Sequence, residues 1–69
     1  MTRYIPSWSE IDHLARAGDM ANEAYARRDY LTARRLDDLA ERLRKGEREV
    51  VEEMDNLTQR THTAIFGND

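Results

Sequence analysis

Residues 33–64 read ARRLDDLAERLRKGEREVVEEMDNLTQRTHTA. Seats alternate there at spacings of three and four: Ala33, Leu36, Ala40, Leu43, Glu47, Val50, Met54, Leu57, Thr61 and Ala64. All but Glu47 and Thr61 are apolar, and no proline interrupts the run. Side chains at that spacing share one helix face, and such a stripe packs against other helices. The stretch predicts an all-α fold with coiled-coil-like packing.

Gly46 decides how the stretch is divided. Arg44-Lys45-Gly46 reads as a helix end, and Glu47-Arg48-Glu49 as a helix start. Yet the spacing passes through Gly46 without a slip, and a connection of one or two residues hardly reverses a helix. The favoured expectation is one long helix over 30–65, bent near Gly46. The alternative is a compact three-helix bundle broken at 45–47. In the long-helix form the second half has no partner within the chain. Val50, Met54, Leu57, Thr61 and Ala64 then become the dimerisation surface of a homodimer.

Upstream, Ser7 and Glu10 have capping-box spacing, so a first helix is expected over 8–27. Its apolar positions include Trp8, Ile11, Leu14, Ala15, Met20, Ala21, Ala24 and Tyr25. Gly18 inside it costs up to about 1 kcal/mol relative to alanine, with a kink or a close helix contact as its reason. Arg27-Arg28 place positive charge at the helix C-terminus, and Asp29 is a good N-cap for the next helix. A turn this tight makes the two helices antiparallel neighbours. Residues 1–6 form an N-terminal arm, and 66–69 a fraying tail.

Residues 14–47 resemble a single tetratricopeptide-type helical hairpin, carried by Ala21, Asn22, Tyr25, Asp29-Tyr30, Ala33 and Ala40. In that family small residues let two helices nest, and the Asp-Tyr pair sits at the turn. The chain departs from the pattern at Ala17, where an aromatic is usual, and at Arg28, where the turn glycine is usual. The closing proline is absent. The resemblance implies a helix-turn-helix hairpin and protein or peptide binding rather than catalysis.

Sixty-nine residues make one domain at most. With no cysteine, disulfides and thiolate zinc sites are excluded. No segment reads as membrane-spanning or as a signal peptide, so a soluble, cytoplasmic protein is expected. Net charge is −3 and unevenly spread: −2 over residues 1–26, +3 over 27–48 and −4 over 49–69. A basic middle and an acidic end suit self-association or docking on a charged partner.

No catalytic, cofactor or metal site is expected. His13 reads as a surface histidine, since a metal site needs three or four convergent ligands and one helix supplies too few. His62 and Thr58, Thr61 and Thr63 read as solvated or capping groups near the end. The carboxylate pairs Asp37-Asp38 and Glu52-Glu53 point about 100° apart on a helix and face water. Asp38–Arg42 and Glu41–Lys45 have the spacing of helix-supporting ion pairs.

Partner binding falls to Tyr4, Trp8, Arg27, Arg28, Tyr30, Arg34 and Arg35, because Tyr, Trp and Arg dominate binding hot spots. Tyr25 is expected to fill the hairpin core. The leading expectation is a non-enzymatic adaptor or inhibitor that modulates a partner protein, one form being a small phage-encoded protein acting on host machinery. Two alternatives stand beside it. One is a small DNA-binding regulator using the basic band Arg27 to Arg48, where Asp37, Asp38 and Glu41 interleave. The other is a structural coiled-coil assembly element.

Overall fold

The chain enters its first helix through a reciprocal cap. In the computed structural model, which describes residues 9–67, the Ser9 hydroxyl accepts from the Asp12 amide at 3.2 Å. The Asp12 carboxylate accepts from the Ser9 amide at 3.3 Å. This satisfies backbone donors that have no partner inside the helix. The box lies two positions beyond the one expected at Ser7 and Glu10. The arm 1–6, Trp8 and the end of the tail lie outside the described residues.

Three helices follow in order: α1 (Glu10–Ala26), α2 (Tyr30–Arg44) and α3 (Val51–Phe66). A 3₁₀ turn over Arg48–Val50 leads into α3. The compact bundle with a break at Gly46 is thus the observed architecture, and the continuous helix over 30–65 is not. The physical reason lies in the backbone. Gly46 adopts φ +100°, and the amides of Gly46 and Glu47 donate to Leu43 and Arg42 at 2.9 and 3.0 Å. This paired closure ends a helix, and it favours a residue without a Cβ at the left-handed position. Six residues, 45–50, separate α2 from α3, which is enough chain to reverse direction. Arg42 Nε donates to Glu47 at 2.9 Å across the reversal.

The α1–α2 turn uses the same closure with a different residue. Arg28 and Asp29 donate to Tyr25 and Ala24 at 2.9 and 2.8 Å, and Arg28 sits at φ +64°. A side chain in that conformation costs roughly 1–2 kcal/mol relative to glycine. Asp29 then accepts from the Thr32 amide, capping α2.

Ala17, Met20 and Ala21 of α1 meet Leu36, Leu39, Ala40 and Leu43 of α2, with Val50, Val51 and Met54 closing the core. On α1 the side chains at this contact are mostly small, Ala17 and Ala21. Leu36, Leu39, Leu43 and Met54 are fully buried, each worth about 1.5–3 kcal/mol of transfer free energy.

The interior corrects several expectations. Val50, Met54 and Thr61 are buried within one chain, Leu57 is half-buried and Ala64 is exposed. Dimerisation through Val50, Met54, Leu57, Thr61 and Ala64 requires an uncovered stripe. The bundle itself covers most of it. Thr58 and Thr61 are buried rather than solvated, and the Thr61 hydroxyl donates to the Leu57 carbonyl at 2.8 Å. Tyr25 is not core: its ring is 39% exposed. Gly18 lies within an unbroken α1, and a Cβ built there would meet nothing within 4 Å among the described residues. No contact inside the described chain requires that glycine. Among the described residues, no helix is long and apolar enough to cross a membrane.

Candidate functional site

The antiparallel order brings the α1–α2 turn and the last turn of α3 to one end of the bundle. The Arg27 guanidinium lies over the Phe66 ring, 6.0 Å from its centroid, and fixes this convergence. Phe66 also packs on His62, with ring centroids 4.9 Å apart. Across the turn, the rings of Tyr25 and Tyr30 lie 6.1 Å apart, tilted by 53°.

Among the described residues, this end carries three of the exposed large apolar side chains. Tyr30 is 53% exposed, Leu31 86% and Phe66 56%. Leu31 was missed from sequence because it lies off the buried stripe and looks like an ordinary helix residue. Its signal was positional: Leu31 falls outside the three-four spacing through Ala33 and Leu36, which puts it on the outer face of α2. Between the turn and α3 runs a groove of about 250 Å³, floored by Ala24, Ala64 and Ile65 and rimmed by Arg27, Arg60 and Asp29.

The predicted binding residues separate in space. Arg27, Arg28 and Tyr30 gather at this end, and Arg34 and Arg35 continue along the exposed side of α2. Tyr4 and Trp8 lie outside the described residues. The basic band is laced with carboxylates. Arg27 pairs with Glu23 at 2.8 Å, Arg42 with Glu47 at 2.9 Å, and Arg35 with Glu53 and Asp38. Arg44 and Lys45 both approach Glu41, at 3.7 and 3.9 Å. The Glu41–Lys45 pair is as expected, but Asp38 meets Arg35, and Arg42 reaches Glu47. Glu47, in hydrogen bond and in charge, raises the Arg42 pKa above its usual value. The Tyr25 hydroxyl donates to Asp37 at 2.8 Å. That bond raises the Tyr25 pKa above its ordinary 10.0, with desolvation and the nearby Asp37 charge adding to it.

The second unexpected feature is at the other end. His13 is a buried residue, not a surface one, at 2% exposure. Its Nδ1 lies 2.9 Å from the Asp55 carboxylate, itself 4% exposed. A carboxylate only accepts, so the ring donates from Nδ1. The pair ties α1 to the start of α3. His13 also borders a cavity of about 260 Å³ rimmed by Glu10, Arg48, Glu49 and Glu52. Among the described residues, no three His, Asp or Glu side chains gather as a metal-binding group.

No protein-family model matches the chain, and neither a curated protein nor a solved structure matches it.

Proposed function

We propose that this chain is a non-enzymatic protein-binding module, an adaptor or inhibitor that docks through the end formed by the α1–α2 turn and the last turn of α3. The observation that carries the reading is the exposure of Tyr30, Leu31 and Phe66 together beside Arg27 and Arg28. Aromatic and arginine side chains contribute most binding energy when a partner covers them. The backbone at Arg28 adds support. A non-glycine residue in the left-handed conformation costs stability, and such strain clusters at functional sites. Arg60 on the groove rim suits a partner segment that presents a carboxylate beside an apolar side chain.

The DNA-binding alternative draws less support. A phosphate-binding surface needs uncompensated cations, whereas Arg27, Arg35, Arg42, Arg44 and Lys45 each lie within 4.0 Å of a carboxylate.

The test is affinity purification from cells expressing the protein, followed by titration of the purified partner. Tyr30→Ser/Leu31→Ser should weaken binding about a hundredfold, two hot-spot losses of about 1.4 kcal/mol each, with helicity unchanged. Binding that survives this change, but disappears on nuclease treatment, would replace the proposal with the nucleic-acid reading.

A further inference from the structure

The cap of α1 has a second part that the sequence can supply. Ser9 and Asp12 form the reciprocal box. Such boxes are often joined by a staple, in which the residue before the N-cap packs on the fourth helical residue. In this chain those two positions are Trp8 and His13. His13 is turned inward: it is 2% exposed, bonded to Asp55, and borders the cavity of about 260 Å³. Leu43 of α2 and Val51 of α3 line the same cavity, so all three helices meet around it.

We propose that the occupant of this cavity is the chain's own segment 1–8, which lies outside the described residues, with the Trp8 indole seated on His13 against Leu43 and Val51. Three observations select it. The first is attachment. Glu10 stands on the rim of the cavity, and Trp8 is two residues away. An indole takes roughly 150–250 Å² out of water when it packs. From this position it does so without the cost of ordering a long linker.

The second is reach. α1 has 17 residues, so about 26 Å separates the Ser9 cap from the α1–α2 turn. Trp8, bonded to Ser9, cannot cross that length, which removes it from the Tyr30–Leu31 docking end. Residues 3–8 span about 20 Å when extended, enough for the segment to pass over the rim.

The third is charge. Three glutamates, at 10, 49 and 52, against the single Arg48 leave the rim acidic. Arg3 is the only charged side chain of segment 1–8, whose other large groups are Tyr4, Ile5 and Trp8. The segment thus offers apolar groups to the lining and a cation to the rim.

Trp8 is then not a partner-binding residue but the closure of the bundle at the end away from the docking surface. It shields the His13–Asp55 contact from water, so the two ends of the molecule carry separate tasks.

Trp8 is the chain's one tryptophan, so its signals in the full chain are unambiguous. Proton NMR tests the proposal. The expected result is a set of nuclear Overhauser contacts from the Trp8 indole to the His13 ring and to the methyls of Leu43 and Val51. Those methyls should be displaced upfield by the indole and return towards ordinary values in Trp8→Ser. Acrylamide quenching of Trp8 should be several-fold weaker in the folded chain than in urea. Indole contacts to Ile11 and Ala15 alone would overturn the proposal, because they would place Trp8 on the outward side of α1. So would an indole with no contact beyond its sequence neighbours and with quenching unchanged by unfolding.

Discussion

His13 Nδ1 and the Asp55 carboxylate meet at 2.9 Å inside the bundle, although 42 residues separate them in sequence. They are the one described pair of buried, oppositely ionisable side chains in contact, and they join the first helix to the third. Removing one member of a buried pair takes away a contact made in a medium poor in water, where solvent replaces it badly.

Asp55→Ala and His13→Ala should therefore each destabilise the fold by about 3–5 kcal/mol in urea denaturation. The double replacement His13→Leu/Asp55→Leu should recover most of that loss, because a desolvated pair contributes little net stability compared with packed apolar groups. Single substitutions costing under about 1 kcal/mol would show that the contact is not maintained in solution.

The two helix-ending turns predict opposite responses to glycine chemistry. Arg28→Gly relieves a Cβ in the left-handed region and should raise stability by about 0.5–1 kcal/mol, allowing for the greater freedom of glycine in the unfolded chain. Gly46→Ala should lower stability by about 1–2 kcal/mol. Thermal denaturation followed by circular dichroism separates them, and shifts of the same sign would contradict the backbone assignment.

The Tyr25 hydroxyl should ionise above the ordinary tyrosine value of 10.0. Its hydroxyl donates to Asp37, and the raised pKa means that the bond is lost on deprotonation. The folded pKa lies above the unfolded one, so the stabilisation is fully present below the unfolded pKa. It is lost as pH rises through the folded value. Tyrosinate absorbance should show Asp37→Asn moving one transition down towards 10.0. An unchanged titration would mean that the bond is absent in solution.

Replacing the exposed docking groups should leave the fold alone. Tyr30→Ser and Leu31→Ser should change stability by no more than about 0.5 kcal/mol each, because neither side chain is buried. A larger loss in chemical denaturation would make these residues part of the core and remove the basis for calling them a docking surface.

How far the sequence carried these conclusions differs from residue to residue. The stripe through Ala33, Leu36, Ala40 and Leu43 marks the buried face of α2 correctly, because periodicity reports directly on the side a helix buries. Its continuation through Val50 and Met54 is also buried, and that unbroken spacing is what hides the reversal at Gly46. The local signal at Gly46, a helix-ending glycine, was the better guide than the long-range period. Beyond Met54 the buried positions are Asp55, Thr58 and Thr61, a face rotated away from Leu57 and Ala64. Polar residues on that face weaken any apolar pattern.

His13 and Asp55 were illegible as a pair, since nothing local joins them. His13 does lie four residues before Ala17 and seven before Met20, and that seat on the buried face was the available clue. The exposed cluster at Tyr30 and Leu31 was only half legible. Tyrosine announces itself as a binding residue, whereas an exposed leucine looks like core until the helix is oriented.

The most direct test of the docking end is site-specific photocrosslinking in cells that express the protein. A photoreactive amino acid is placed either at Leu31 or at Glu52, which is exposed near the opposite end of the bundle. The account predicts a discrete protein adduct from position 31 that position 52 does not give, and that Tyr30→Ser diminishes. Equal adducts from both positions, or an adduct from position 52 alone, would contradict it.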